Sequence, residues 1–173
     1  LFTDDNVWVW GGPTPQWGGT TADDSLVKGA DYFGAKNVVY MYGPTTKEMI
    51  QKHSKFKKVL CQVSNICRAP GAQPETDLEN AEKLSKISLE CPNVLGAMID
   101  DMYNLIPKKQ VGPIADALRK HNKNLKLYGV VYKQNFDEYD YTDALPYLDG
   151  ISLWFWNKDH LLEIDETIER CSK

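Results

Sequence analysis

The stretch Gly96-Ala97-Met98-Ile99-Asp100-Asp101-Met102-Tyr103-Asn104 is an apolar run that ends in two adjacent carboxylates. Aspartate is disfavoured inside a β-strand, and burying a charge costs free energy. In an α/β protein such a pair fits the carboxyl end of a strand, because ligands bind there. The stretch therefore predicts a strand that ends at a functional site.

The same pattern, an apolar strand followed by an amphipathic helix, occurs six times along the chain. The predicted strands begin near residues 7, 38, 59, 94, 127 and 151. Thr45 and Thr76 each stand three residues before a glutamate, which is the spacing of a capping box at a helix start. Strands that alternate with helices predict a parallel sheet in a single α/β domain over residues 1–173.

Two architectures accommodate six such units. One is a (β/α) TIM-like barrel with six of its eight units present, and the alternative is a six-stranded doubly wound parallel sheet. The length of 173 residues favours the open sheet, because a barrel typically takes about 250 residues. A barrel of six units would be completed at its open edges by further units or by a partner, so self-association through these edges is expected.

Alternation along the strands favours the barrel, because the strands of a doubly wound sheet are apolar on both faces. The face predicted to contact the helices carries Val7, Val9, Val39, Met41, Cys61, Val63, Ala97, Ile99, Leu153 and Phe155. The face predicted to line the lumen carries Trp8, Trp10, Tyr40, Tyr42, Gln62, Ser64, Met98, Asp100, Tyr128, Tyr132, Ser152, Trp154 and Trp156.

Charge and composition exclude several classes of function. The net charge of -4 and the lack of a Lys/Arg block argue against a nucleic-acid partner. No apolar run approaches the roughly 18 residues of a membrane span. No dinucleotide-binding, P-loop or nucleophile-elbow motif is present, and the four cysteines match no zinc pattern, so no cofactor is expected. The chain opens at Leu1 and shows no signal peptide, which leaves the compartment open, with a secreted or periplasmic location as one option.

The aspartate pair suggests glycoside hydrolysis, which usually takes two carboxyl groups. Repulsion between two enclosed carboxylates raises one pKa, which suits that group to donate a proton near neutral pH. Asp100 shares the lumen side of Met98, whereas Asp101 has the opposite parity unless the strand end kinks. We therefore predict Asp100 and Asp101 as the catalytic carboxyls.

Aromatic and amide side chains cluster at the predicted strand ends. The C–H faces of sugar rings stack well on indoles, and amides hydrogen-bond to hydroxyls. These features predict an oligo- or polysaccharide ligand. The predicted substrate-binding residues are Trp8, Trp10, Tyr42, Gln62, Asn65, Tyr103, Asn104, Tyr132, Gln134, Trp154 and Trp156.

Other polar residues receive a structural interpretation. The carboxylates after the fifth and sixth strands are interpreted as a charged, solvated loop; they are Asp137, Glu138, Asp140 and Asp159. Cys61 and Cys171 are interpreted as buried free thiols. A disulfide between Cys67 and Cys91 is a further option.

Residues 98–103, 128–132 and 149–156 together resemble glycoside-hydrolase-like TIM barrels of bacterial polysaccharide degraders. The adjacent aspartates are also similar to the Asp-Asp pair of the O-GlcNAc-hydrolase family. That resemblance implies that Asp100 orients a substrate N-acetyl group and that Asp101 is the general acid.

Three functions follow as hypotheses. The first is a glycoside hydrolase that uses Asp100 and Asp101. The second is a glycan-binding module or inactive barrel fragment on the same scaffold. The third is an open-sheet α/β protein that binds a metal at the aspartate pair, because carboxylates and carboxamides suit Mg²⁺.

Overall fold

The computed structural model describes residues 5–67, 75–136 and 138–172, and its centre is one parallel sheet of six strands. The strands are β1 (Trp8–Gly11), β2 (Asn37–Tyr40), β3 (Lys58–Gln62), β4 (Val94–Ile99), β5 (Lys126–Tyr132) and β6 (Gly150–Trp154). The α-helices are α1 (Ser25–Phe33), α2 (Lys47–Gln51), α3 (Asp77–Ile87), α4 (Val111–Leu118) and α5 (Ile164–Cys171). Short 3₁₀ turns span Pro15–Trp17, Met102–Asn104, Lys133–Phe136, Leu145–Tyr147 and Lys158–Glu163. The predicted α/β class and the parallel sheet are confirmed.

The strands lie in sequential order from β1 to β6, and the sheet curls into a half-barrel. Trp10 on β1 and Trp154 on β6 meet across the concave face with ring centroids 5.4 Å apart. No ladder of backbone hydrogen bonds joins β1 to β6 within the described residues, so a closed TIM barrel is not observed there. The number and direction of the strands agree with the six-stranded parallel sheet of the second predicted architecture.

The main core lies between the sheet and helices α1 to α4. Leu26, Leu84 and Ile114 from three of these helices are at most 3% exposed. They belong to the same cluster as strand residues such as Val59 and Ile99. Each such side chain contributes about 1.5–3 kcal/mol when it is fully buried, so this layer anchors the strands.

The concave face carries a second, smaller apolar cluster beneath the mouth of the half-barrel. It contains Val39, Met41, Leu60, Met98, Val130 and Tyr132. The predicted parity of β2 is wrong: Val39 and Met41 belong to this concave cluster, whereas Tyr40 packs with the helices. Val39 pairs with Trp10 in the ladder and shares its side of the sheet. All four residues of β2 are buried, so alternation between polar and apolar residues cannot show which face of this strand contacts the helices.

Helix boundaries follow from their caps. At α3 the Thr76 side chain accepts a hydrogen bond from the Glu79 N–H and the glutamate bonds back, so the predicted capping box is confirmed. At α2 the cap is Thr46, whose hydroxyl accepts from the Met49 N–H. Thr45 is buried and donates its hydroxyl to the Gln62 carbonyl. The capping box predicted at Thr45 is therefore wrong, and the helix cap lies one residue later.

Two further features of the fold concern Gly96 in β4 and the last helix, α5. Gly96 in β4 lets β5 approach closely, because an added Cβ would lie 1.9 Å from the Lys126 carbonyl oxygen. The apolar residues of the last amphipathic helix, α5, are mostly exposed rather than packed: Ile168 is 50% exposed, and Thr167 is the buried residue of α5. Within the described residues, no helix has the length and apolar character needed to cross a membrane.

Candidate functional site at the strand ends

A cavity of about 500 Å³ opens at the carboxyl ends of the strands. Its position agrees with the rule that parallel α/β sheets bind ligands where the strands end. The described residues that line it are Trp10, Trp17, Tyr42, Cys67, Asp100, Asp101, Tyr103, Tyr132, Gln134, Asn135, Glu138, Tyr139, Trp154 and Trp156. Both predicted catalytic aspartates and seven of the predicted substrate-binding residues therefore meet in one cavity.

Asp100 follows β4 directly and is only 6% exposed. Burial, reinforced by the neighbouring charge of Asp101, raises the pKa of the Asp100 carboxyl from its ordinary 3.8 to about 6. Its Oδ1 accepts a hydrogen bond of 3.0 Å from the Asp101 N–H, which opposes the shift in part. Asp100 is thus a carboxyl group that retains its proton much closer to neutral pH than an ordinary aspartate.

Asp101 reaches the same cavity because the chain kinks where β4 ends. Its backbone is left-handed, with φ of 45° and ψ of 48°, which resolves the parity difference between the two aspartates. The Tyr132 hydroxyl donates to Asp101 Oδ1 at 2.7 Å, and the Cys67 thiol donates to Oδ2 at 3.3 Å. Each carboxylate oxygen therefore has its own protein donor, which fixes the orientation of the group.

Both donors keep their protons at neutral pH. Burial and the two nearby carboxylates raise the pKa of the Cys67 thiol to about 12. The same causes, together with the hydrogen bond to Asp101, raise the pKa of Tyr132 well above its ordinary range. Asp101 is consequently held by donors that remain protonated.

Backbone strain concentrates around this cavity. Four non-glycine residues have positive φ, among the described residues, and three of them line the site: Tyr42 at 69°, Cys67 at 63° and Asp101 at 45°. Such conformations cost on the order of 1–3 kcal/mol each and occur preferentially at functional sites. A hydrogen bond of 2.8 Å from the Gln16 amide to the Cys67 carbonyl helps to hold one of them.

The aromatic side chains of the lining form a continuous set of contacts. The Trp10 indole N–H donates to the Tyr42 hydroxyl at 2.7 Å. Trp156 stacks on Tyr132, with centroids 5.5 Å apart and ring planes 21° apart. The remaining ring pairs of the lining are Trp17–Tyr42, Trp10–Trp154, Tyr132–Trp154, Tyr103–Tyr132 and Tyr103–Tyr139.

Four predicted substrate-binding residues lie outside the lining. Gln62 accepts from the Tyr42 N–H and donates to the Ile66 carbonyl, so its amide supports the backbone below the site. Asn65 donates to the Glu75 carbonyl, and Asn104 donates to the Asp101 carbonyl. Trp8 packs against the concave apolar cluster.

Several lining residues were not predicted to bind substrate. Glu138 was interpreted as part of a solvated loop and is indeed exposed, but it also borders the cavity, and its Oε2 accepts from the Asn135 amide at 3.1 Å. Tyr139 and Cys67 also line the cavity. The only sequence signal for them is that each lies in a loop that follows a strand. The cysteines at 61, 67, 91 and 171 are free thiols, so the Cys67–Cys91 disulfide does not form. Asp137, from the same predicted acidic loop, lies outside the described residues.

The lining is acidic and aromatic. Of its described members three carry carboxyl groups, and none is lysine, arginine or histidine. Throughout the described ranges, no three His, Cys, Asp or Glu side chains gather closely enough to hold a metal ion.

Comparisons with known proteins supply no relative: no family model matches the chain, and a search of curated proteins finds no match.

Proposed function

We propose that this protein is a carbohydrate-active enzyme, a glycoside hydrolase whose catalytic carboxyl groups are Asp100 and Asp101. The observation that carries the proposal is the contrast between the two groups. Asp100 is buried and its pKa is raised to about 6, whereas Asp101 accepts hydrogen bonds at both of its carboxylate oxygens. A carboxyl group that keeps its proton close to neutral pH suits a general acid, and a carboxylate held by two donors is fixed in orientation toward the same cavity.

In this mechanism Asp100 gives its proton to the glycosidic oxygen as the bond from that oxygen to the anomeric carbon breaks. Positive charge develops on the sugar ring, and the Asp101 carboxylate stabilises it. A water molecule then adds to the anomeric carbon and loses a proton to a carboxylate of the site. The roles differ from those that the O-GlcNAc-hydrolase resemblance implies, because Asp100 is the group whose burial favours the protonated form.

The aromatic lining would bind the sugar. Trp154 ends β6, Trp156 follows two residues later, and Trp10 on β1 contacts Trp154. Indole faces complement the C–H faces of sugars, and Gln134 and Asn135 add amide groups at the same cavity.

We also propose that the half-barrel corresponds to six consecutive units of a TIM-like barrel. Its sequential strand order and the position of the cavity at the strand ends support this relationship.

Asp100→Asn tests the proposed chemistry. Against a panel of glycosides, the variant should lose about 10²–10⁴-fold in kcat/KM, which is the usual contribution of a positioned general acid. Wild-type kcat/KM should fall as pH rises above about 6, because Asp100 then loses its proton. Asp116→Asn, an exposed change on α4, is the matched control and should leave turnover unchanged. Full activity of the Asp100 variant would exclude this mechanism.

A glycan-binding module is the second candidate, and the exposed indoles of the lining favour it. Trp17 is 58% exposed and Trp156 is 72% exposed, as expected for platforms that contact a long chain. In that case Trp156→Ala would weaken glycan binding, Asp100→Asn would change it little, and the wild-type protein would bind without hydrolysis.

A further inference from the structure

The described lining of the cavity combines many aromatic rings with carboxyl groups and contains no basic side chain. Eight of its fourteen described lining residues are Trp or Tyr, and three are Asp or Glu. None of the described lining residues is Lys, Arg or His. A neutral sugar needs the rings and hydrogen-bonding groups, but it does not need an excess of negative charge.

The carboxyl groups of the cavity also differ from acidic side chains elsewhere. Asp149 is paired with Arg119 and Lys126, and Glu82 is paired with three basic side chains. Among the described residues, by contrast, no basic side chain forms an ion pair with Asp100, Asp101 or Glu138. The cavity therefore presents negative charge that a ligand can neutralise.

Glu138 is an exposed residue at the edge of this cavity, and one hydrogen bond orients its carboxylate. Its Oε2 accepts a hydrogen bond of 3.1 Å from Asn135, and that asparagine is buried at 8% exposure. Tyr139 follows it directly and contacts Tyr103, with ring centroids 5.6 Å apart. Glu138 and these rings border the same cavity, and an ammonium group is attracted both by a carboxylate and by ring faces within about 6 Å.

We infer that the preferred ligand of this cavity is a glycan whose sugar units carry protonated amino groups. The amine would lie between Glu138 and the ring set, and the sugar rings would stack on the tryptophans. This inference rests on the proposed carbohydrate function and narrows it to one substrate class, the oligomers of 2-amino-2-deoxyhexoses with free amines.

Titration calorimetry with a matched ligand pair tests the inference. The β-1,4-linked glucosamine tetramer and cellotetraose differ in one amine or hydroxyl per ring. A buffer at about pH 5.5 keeps the amines protonated, because it lies well below the range near 7.7–8.0 in which the α-amino group, also next to a polar group, titrates. The glucosamine tetramer should bind at least about tenfold more tightly, and this advantage should shrink as salt is raised. Equal or tighter binding of cellotetraose would overturn the inference.

Glu138→Gln locates the amine. The variant should lower the affinity for the glucosamine tetramer about two- to fivefold more than it lowers the affinity for cellotetraose. Glu166→Gln removes the same charge from exposed helix α5 and should change neither affinity. Equal losses for both tetramers in the Glu138 variant would count against a contact with the amine.

The outcomes separate this inference from the proposed function. Hydrolysis of cellotetraose with no preference for the amino sugar would retain the hydrolase and reject the amine. Tight binding of the glucosamine tetramer without hydrolysis would retain the amine and reject the hydrolase. Failure of both tetramers to bind at millimolar concentration would reject the amine inference, and the glycoside panel would then decide on the hydrolase separately.

Discussion

Asp100→Asn should make the protein more stable at neutral pH while it removes the proposed chemistry. In the folded protein the pKa of Asp100 is about 6, mainly because the carboxyl is buried and secondly because Asp101 is close. In the unfolded chain the same group titrates near its ordinary 3.8. Above the folded pKa the charge is therefore easier to carry in the unfolded state, and it destabilises the fold.

The magnitude follows from this difference. Each pKa unit corresponds to about 1.4 kcal/mol, so a shift of roughly two units destabilises the fold by at most about 3 kcal/mol above pH 6. The stabilising contribution of the protonated group is fully present below pH 3.8 and is lost as pH rises through about 6. An asparagine carries no charge at any of these pH values, and its oxygen can still accept from the Asp101 N–H. We expect a gain of about 1–3 kcal/mol at pH 7.5 and a gain near zero at pH 4.

Urea unfolding at a series of pH values between about 4 and 8 measures the effect, with Asp116→Asn as the control for a lost surface charge. In thermal scans a gain of this size corresponds to about 2–4 °C per kcal/mol for a chain of this length. A variant no more stable than the wild type at pH 7.5 would refute the reasoning. So would a gain that persists undiminished at pH 4, because the effect would then not come from ionisation.

Three further predictions concern the surroundings of the site and the core. Tyr132→Phe removes a donor to the Asp101 carboxylate; kcat should fall about tenfold or more and the free energy of unfolding by about 1.5–3 kcal/mol, and an unchanged kcat in steady-state assays would contradict this role. His53 is buried and its pKa is lowered by burial, so the stability it supplies is present above the unfolded pKa of 6.5 and is lost as pH falls through the folded pKa. His53→Phe should therefore reduce the loss of stability between pH 7.5 and 5 in urea titrations, and an unaltered pH dependence would show that another group is responsible. Gly96→Ala should destabilise the fold by at least about 3 kcal/mol, because the new methyl would meet the backbone of β5, whereas Gly29→Ala, whose nearest neighbour would be 3.9 Å away, should not destabilise it.

The strand starts and the site at the end of β4 could be predicted from sequence because each is marked by a change from apolar to polar residues over a few positions. Apolar runs that stop at polar or glycine-rich segments mark strands, and a carboxylate pair after such a run marks a strand end. All six strand starts predicted lie within one residue of those observed. The aromatic residues near these ends then meet because parallel strands bring their carboxyl ends to one edge.

Other features depend on contacts that local patterns do not encode. The side of the sheet on which each β2 side chain lies is set by pairing with β1. The four consecutive buried residues of β2 show no polar and apolar alternation from which it could be predicted. Asp101 faces the cavity because its own backbone is left-handed; the sequence shows that a kink is needed there, but not that one occurs. Glu138 is exposed, as its loop position predicts, and its place at the edge of the cavity depends on how the loop after β5 folds, including the hydrogen bond from Asn135.

The contact between Trp10 and Trp154 has a consequence for how the site forms. These residues belong to the first and last strands of a sheet assembled in sequence order, so almost the whole chain must be in place before the two indoles meet. Contacts between segments so distant along the chain carry a large loop-closure entropy and tend to slow folding. The cavity has no local precursor that could bind a ligand early. Ligand capture during refolding should accordingly lag behind the growth of helical and strand signals, and the tryptophans would report the final step of assembly.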